Sequence, residues 1–224
     1  FGDEVVWNAE YGFDFNDRIS FSGSSGSAFR APDATDRFGF GGNINLLPEE
    51  SNDIQLSASF KKNDNSSYKF EIFDTQISNL IEYDLNANKM QNIGRASMKG
   101  MQIGYQYAND IYVFRADLIN QRAKNDITNR DLLRRADQSF TLNISRKFNE
   151  NIFGLSLLAS GERKDFGVSL PGYAIVNLNA KLKVTSNLSI NAQIENITDK
   201  DYQTASNYRM QGASVFIDLT YNWQ

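Results

Sequence analysis

Apolar and polar residues alternate strictly along several segments of this chain, each nine or more residues long. In residues 173–184, every second position from Val176 to Val184 is apolar, and asparagine or lysine occupies the positions between them. Successive side chains of a β-strand point to opposite faces, so one face of such a strand suits lipid and the other suits water. Strands of soluble sandwiches usually have about five or six residues, whereas a tilted membrane-spanning strand needs roughly nine to eleven. The lengths therefore predict an antiparallel transmembrane β-barrel.

The same periodicity predicts about eleven strands, and the fourth is irregular enough to predict a β-bulge. The predicted ranges are 5–15, 19–29, 53–61, 68–81, 96–107, 111–121, 139–148, 152–160, 173–184, 188–195 and 213–223. Short connections rich in turn formers alternate with long ones. The short connections are 16–18, 62–67, 109–110, 149–151 and 185–187, and the long ones are 30–51, 83–95, 122–135, 161–171 and 198–212. Bacterial barrels have short periplasmic turns and long extracellular loops, which predicts that the last strand ends in the periplasm.

An odd number of strands does not close a bacterial antiparallel barrel, which has an even count. An open sheet leaves unpaired backbone groups in lipid, and each such group costs several kcal/mol. We therefore expect that this chain is part of a longer protein or that another segment closes its sheet. Residues 1–4 lack the basic and apolar regions of a signal peptide, which predicts a mature or truncated start.

Composition argues against other classes of protein. The mean hydropathy of -0.48 leaves no window apolar enough for a transmembrane helix. The 23 basic and 27 acidic residues are scattered rather than arranged in a basic stripe, which argues against nucleic-acid binding. The chain has neither cysteine nor histidine, so thiolate and imidazole metal ligands and the commonest general base are absent from the sequence. The sequence therefore predicts no enzymatic activity and no cofactor.

Several segments resemble the TonB-dependent outer-membrane receptors. Residues 28–32 (Ala-Phe-Arg-Ala-Pro) and 42–51 (Gly-Asn-Ile-Asn-Leu-Leu-Pro-Glu-Glu-Ser) resemble the family's loop-to-strand signature. Residues 195–202 (Glu-Asn-Ile-Thr-Asp-Lys-Asp-Tyr) resemble the segment that precedes its last strand. The resemblance implies a 22-stranded barrel in the Gram-negative outer membrane, with an N-terminal plug domain and a TonB box. No plug or box is recognised here, so residues 1–224 are predicted to be the C-terminal portion of the barrel.

Within that family, residues 37–43, 79–84, 131–136 and 202–204 resemble stretches of the cobalamin receptors, in the same order and at similar spacing. This resemblance implies TonB-coupled import of a scarce, bulky ligand, with cobalamin favoured and an iron-siderophore or haem as alternative ligands. A passive porin or structural barrel is the alternative function. The implied partners are the ligand, outer-membrane lipid and lipopolysaccharide, the missing N-terminal barrel half with its plug, and TonB through that plug.

Two positions match loop residues that contact the corrinoid in cobalamin receptors, namely Arg134 and Tyr208. An arginine donates several hydrogen bonds, and a tyrosine offers a flat face with a polar tip. Phe38 and Phe40, which have glycines nearby, are predicted to line the mouth above the ligand. The alternatives are basic residues at the membrane rim for Arg134 and Arg135, an interface aromatic for Tyr208, and a packed loop tip for the two phenylalanines.

One long loop carries four carboxylates, Asp33, Asp36, Glu49 and Glu50. Their spacing matches no defined calcium-coordination loop, so they are predicted to be solvated loop charges. The calcium-binding loops of the family lie outside the part that this chain resembles, and no metal site is predicted.

Overall fold

A computed structural model describes residues 3–223, so the first two positions of the predicted mature start and Gln224 lie outside the described residues. Eleven long antiparallel strands form one sheet in which consecutive long strands are neighbours. These strands are β1 (Asn8–Asn16), β2 (Ile19–Arg30), β3 (Glu49–Asn63), β4 (Ser66–Ser78), β7 (Arg95–Ala108), β8 (Tyr112–Asn125), β9 (Gln138–Phe148), β10 (Asn151–Ser160), β13 (Tyr173–Lys183), β14 (Leu188–Glu195) and β17 (Ser214–Tyr221).

The long connections contain the rest of the regular structure. Helix α1 (Ala34–Phe38) lies between β2 and β3, and three small hairpins lie in later loops. The hairpins pair β5 (Ile81–Asp84) with β6 (Lys89–Asn92), β11 (Arg163–Asp165) with β12 (Val168–Leu170), and β15 (Gln203–Ala205) with β16 (Tyr208–Arg209). The predicted all-β barrel strands and their number are confirmed, whereas the helix and the three hairpins were not predicted.

The predicted bulge in the fourth strand is wrong. Strand β4 pairs with β7 without interruption from Ser66 to Ser78, and the nearby register shift lies on β3 between Lys61 and Asn63, beside the turn. The irregular polarity of β4 has another cause, because Asp74 on its apolar face pairs with Lys99 of β7 instead of meeting lipid.

The cross-strand register confirms the two faces that alternation predicted. One continuous row across nine strands consists of Phe13, Phe21, Ala58, Phe70, Ile103, Leu118, Phe140, Ala159 and Ala174. The neighbouring row on the opposite face consists of Asp14, Ser20, Ser59, Lys69, Gly104, Asp117 and Thr141. Because side chains directly opposite in a sheet share a face, the outer face is apolar across the sheet and the inner face is mostly polar.

Aromatic side chains gather on the outer face near the short turns. The Tyr68 ring lies 4.8 Å from the Tyr105 ring and 6.4 Å from the Phe60 ring, and Tyr105 lies 5.5 Å from Phe114. Such girdles mark the membrane–water interface of transmembrane barrels. The position of this girdle places the short turns at one membrane surface and the long loops at the other.

The sheet is open among residues 3–223, because β1 and β17 each pair with only one neighbour. The expectation that these strands do not close on themselves is confirmed. No helix in the described part of the chain is both long and apolar enough to cross a membrane.

Candidate functional site

The five long connections lie at one end of the sheet and are numbered here as loop 1 (31–48), loop 2 (79–94), loop 3 (126–137), loop 4 (161–172) and loop 5 (196–213). Loop 3 folds against the inner face. Leu132, which is only 4% exposed, packs in a cluster with Ala96 and Ala123, and its backbone N–H donates to the Ala123 carbonyl. Residue Ala96 belongs to the face opposite Lys99 and Ile103, because odd and even positions of β7 alternate. The loops therefore cover the end of the inner face.

A buried carboxylate joins three of the loops. The side chain of Asp165 in loop 4 is fully buried, and its Oδ1 accepts a hydrogen bond from Arg134 Nε of loop 3 at 3.0 Å. Its Oδ2 accepts from the backbone N–H of Ser206 in loop 5 at 2.6 Å. A buried carboxylate is tolerated when it is paired and hydrogen-bonded. We call this set of three residues the Asp165 junction.

Three residues in or next to the Asp165 junction have unusual backbone conformations. Arg134, Phe166 and Asn207 all have positive φ angles, of 60°, 32° and 67°. Non-glycine residues rarely occupy this region, and each costs about 1–3 kcal/mol where the conformation is strained. Three such residues beside one carboxylate indicate that tertiary contacts, rather than local preference, fix these loop tips.

Aromatic rings extend the Asp165 junction toward loops 1 and 2. The Arg134 guanidinium lies 5.4 Å from the centre of the Phe166 ring. Phe166 meets Tyr83 of loop 2 edge-on at 6.4 Å, and Tyr83 stacks on Phe40 of loop 1 at 6.4 Å. Both geometries are favourable for aromatic pairs, and the cation lies within interaction range of its ring. A continuous series of contacts thus runs across all five loops.

Loops 1 and 2 are also joined by polar contacts. Arg30 donates to both carboxylate oxygens of Glu49 and to Asp36, and Glu49 Oε1 accepts from the backbone N–H of Ile81 at the start of β5. Bidentate pairs of this kind are strong and directional. They fix the base of loop 1 against loop 2.

Of the four carboxylates predicted to be solvated charges, Glu50 is exposed as predicted, and the other three have structural roles. Asp33 caps helix α1, and Asp36 completes the capping box. Asp36 is 8% exposed, so the prediction of solvated charge is wrong for it, and Glu49 is paired instead of free. Both carboxylates pair with Arg30, and the separation of these residues along the sequence hides the two pairs from a local pattern. Among residues 3–223 no group of three or more acidic side chains has the geometry to hold a metal ion.

Electrostatics in loop 2 centre on Glu82. Burial raises the pKa of the Glu82 carboxyl, the Arg135 charge opposes this shift, and the Glu49 charge adds to it. Burial disfavours the ionised form, and a nearby like charge has the same effect. The Glu82 carboxyl therefore loses its proton at a higher pH than an unperturbed glutamate does.

The recognised segment 195–202 organises loop 5. Asn196 is 3% exposed, and its Nδ2 donates to the carbonyls of Lys200 and Gln211 while its Oδ1 accepts from Lys200 N–H. Its φ of 48° suits asparagine, which tolerates the left-handed region better than most residues. Tyr202 packs on Tyr173 at the end of β13, with ring centres 4.3 Å apart. The segment therefore closes the loop.

The predicted ligand-binding residues are brought to one end of the sheet but not into mutual contact. Within residues 3–223 no hydrogen bond, ion pair or ring contact joins any two of Arg134, Tyr208, Phe38 and Phe40 directly. Arg134 and Tyr208 are related through the Asp165 junction, because Tyr208 follows Ser206 in loop 5. Tyr208, Phe38 and Phe40 are 70%, 71% and 86% exposed. Aromatic faces and a guanidinium are groups that can bind a large ligand with polar and flat surfaces, but here they occupy separate loops at the same end of the sheet.

Sequence reasoning missed Asp165, Phe166 and Tyr83. Tyr83 lies in the segment 79–84 that carried the resemblance, so a signal for it was present. Asp165 lies in a run of charged residues before a glycine, a pattern typical of an exposed turn. Its burial depends on Arg134 and Ser206, which lie 31 and 41 residues away in the sequence.

Comparison with known proteins gives consistent results. A family model described as "TonB dependent receptor-like, beta-barrel" matches residues 1–197. The vitamin B12 transporter BtuB of Vibrio cholerae serotype O1 is 27% identical over 237 residues, which cover 100% of this chain and 38% of that protein. This chain therefore spans 38% of the length of the curated relatives it matches.

Solved structures show the same fold at lower sequence identity. The copper transporter OprC superposes with a TM-score of 0.77 at 17% identity, over 96% of this chain and 39% of that one. The ferric enterobactin receptor PfeA from Pseudomonas aeruginosa has a TM-score of 0.78 at 17% identity, over 98% of this chain and 41% of that one. Together with the family match over residues 1–197 and the sheet described above, these findings show that this chain belongs to the TonB-dependent receptor family, of whose β-barrel it forms eleven strands and five long loops.

Proposed function

We propose that this chain supplies barrel wall and extracellular loops to an outer-membrane receptor that imports a corrinoid, most specifically cobalamin, with energy from TonB. One relative that aligns along the whole chain is named a vitamin B12 transporter. This name supports cobalamin over an iron-siderophore or haem as the ligand. Residues 1–224 are the C-terminal portion of the barrel in this proposal. The N-terminal strands and plug, and TonB through the plug, are its partners.

The observation that carries the proposal is the Asp165 junction together with its aromatic extension. Asp165 holds the Arg134 side chain and the Ser206 backbone, so loops 3 and 5 are held beside each other before any ligand arrives. Preorganised loops avoid part of the entropy cost of ordering on binding. The side chain of Arg134 remains 44% exposed, so its guanidinium is available to amide or phosphate oxygens, while Tyr208 offers a face for a macrocycle.

Transport in this scheme involves binding and release without covalent chemistry. The exposed loop residues capture the ligand, and rearrangement of the plug, driven from the inner membrane, opens a route through the lumen. The inner face of the sheet supplies a polar wall for that route, with residues such as Ser59, Lys69 and Asp117 in one row.

The test is equilibrium binding of cyanocobalamin to the full-length natural protein. Arg134→Ala and Tyr208→Ala are each expected to weaken binding roughly 5- to 30-fold, since truncating a central contact typically costs about 1–2 kcal/mol. Arg130→Ala and Lys200→Ala, exposed changes in the same two loops, serve as matched controls and are expected to leave affinity unchanged. Unaltered affinity in both Arg134→Ala and Tyr208→Ala would discard these contacts. Binding of a ferric siderophore or haem in place of cyanocobalamin would discard the ligand but keep the receptor class.

A further inference from the structure

Arg163 in loop 4 is a buried arginine whose charge is not balanced by a carboxylate. The residue is only 8% exposed, and among residues 3–223 no carboxylate lies at ion-pair distance from it. Its Nη2 donates to Ser160 Oγ at 2.6 Å, and its guanidinium lies 5.1 Å from the centre of the Tyr173 ring. Its buried Nε has no hydrogen-bond partner within the described residues. Burying a charge is costly unless the charge is paired and hydrogen-bonded, so an anion beside Arg163 would stabilise it.

Arg163 lines a cavity between loops 3 and 4. The cavity has a volume of about 260 Å³, several times the roughly 30 Å³ that a water molecule occupies in the liquid. Arg135 of loop 3 lines the same cavity and likewise has no carboxylate at ion-pair distance in the described part of the chain. An arginine donates bidentately to phosphate or carboxylate oxygens. Two such groups around one cavity suit an anion with several acceptor oxygens.

The carboxylates that line this cavity do not neutralise its buried end. Glu162 pairs with Lys164 at 2.7 Å. Asp131 and Asp137 are exposed, so water screens their charges. Arg163 is buried, and its charge is screened much less. The rim of the cavity therefore carries both signs of charge, whereas its buried end is favourable for an anion.

The cavity adjoins the Asp165 junction. Arg163 and Asp165 are two residues apart in β11, and both are buried. The backbone N–H of Arg134 donates to the Lys164 carbonyl at 2.7 Å, which joins loop 3 to the strand that carries Arg163. An anion in the cavity therefore lies close to the part of loop 3 where the ligand is proposed to bind.

We propose that this cavity is an anion subsite of the ligand site, in which Arg163 and Arg135 bind the phosphodiester of the corrinoid's nucleotide loop. The inference rests on the proposed function and gives a phosphate-binding role to two residues beyond Arg134 and Tyr208. A free phosphate ion has the same chemistry. The position of the cavity beside Arg134 favours a phosphate that belongs to the ligand.

The test compares equilibrium binding of two corrinoids to the full-length natural protein: cyanocobalamin, which carries the phosphodiester, and dicyanocobinamide, which lacks it. Arg163→Gln, which keeps a donor for Ser160, is expected to weaken cyanocobalamin binding roughly tenfold or more and to leave cobinamide binding unchanged, since a charge-assisted contact is lost. Arg135→Gln is expected to give a smaller selective loss, roughly two- to fivefold, because Arg135 is exposed. Arg130→Gln, an exposed arginine of loop 3 that does not line the cavity, is the matched control and is expected to leave both affinities unchanged.

The ratio of the two affinities separates a phosphate contact from structural support. An equal loss for both corrinoids in Arg163→Gln would overturn the inference, because the arginine would then only support loop 4. Unchanged cyanocobalamin binding in that variant would also overturn it. Labelled inorganic phosphate that stays bound under saturating cyanocobalamin would assign the cavity to a free ion instead. If the natural protein binds neither corrinoid, the proposed ligand is refuted and this inference with it, whereas binding of both with an unchanged ratio in the variants refutes the subsite alone.

Discussion

Replacing Asp165 by alanine removes the buried carboxylate that joins loops 3, 4 and 5. The partner side chain of Arg134 is 44% exposed, so water screens the ion pair and reduces its contribution to roughly 0.2–1 kcal/mol. The hydrogen bond from Ser206 N–H, 2.6 Å long, has a charged acceptor and contributes about 1.5–3 kcal/mol. Local opening of loops 4 and 5 is therefore expected to become easier by about 2–4 kcal/mol. This corresponds to an open population roughly 30- to 900-fold larger.

Hydrogen exchange of the Ser206 amide in the full-length natural protein measures this opening directly, because that N–H makes the contact. Asp165→Asn keeps one acceptor oxygen but loses the charge and is expected to give an intermediate effect. Glu162→Gln, which breaks an exposed pair with Lys164 in the same loop, is the control and is expected to leave the exchange unchanged. The reasoning fails if Ser206 exchanges no faster in Asp165→Ala, or if exchange in β13 rises equally, since that would be global destabilisation.

Two further predictions concern the sheet and loop 2. Leu178 lies in the middle of β13, opposite Leu155 and Ile194 on the outer face. Leu178→Arg is therefore expected to lower the free energy of unfolding by roughly 2–4 kcal/mol, measured by urea unfolding from lipid vesicles, while Lys181→Gln on the inner face is expected to be nearly neutral. Equal tolerance of both changes would reverse the assignment of the two faces. Because burial raises the pKa of Glu82, the folded protein holds the Glu82 proton more tightly than the unfolded chain does. The contribution of this proton to stability is complete below about pH 4.3 and is lost as the pH rises through the raised pKa. Exchange in loop 2, corrected for intrinsic rates, is expected to accelerate over that window, and Glu82→Gln should flatten the profile; an identical profile in the variant contradicts this.

Local patterns were sufficient for the eleven long strands. The hairpin of β13 and β14 could be predicted from the sequence, because apolar residues alternate with a period of two and the turn residues between the strands are adjacent in the chain. Some boundaries agree closely, as for the predicted range 188–195 and the observed Leu188–Glu195, whereas β3 and β8 are several residues longer than predicted. The predicted start of the first strand was less accurate, because β1 begins at Asn8 rather than near residue 5.

The loops show where local patterns fail. Each small hairpin in loops 2, 4 and 5 has strands of only two to four residues, too short for a period to be recognised. The positive φ angles at Arg134 and Phe166 are imposed by contacts between loops and have no glycine signal at those positions. The sequence predicts free charges at Asp36 and Glu49, but in the structure Arg30 lies between them and pairs with both.

The sequence by itself determined that this chain forms long amphipathic strands with short turns at one end and long loops at the other, because both features depend on neighbouring residues. The tertiary structure decided which loop residues meet. Asp165 is buried because Arg134 and Ser206 reach it from loops 31 and 41 residues away, and Lys99 pairs with Asp74 only because the register places them opposite each other. Burial and charge pairing across such separations are set by packing in space, which alternation along a chain does not encode.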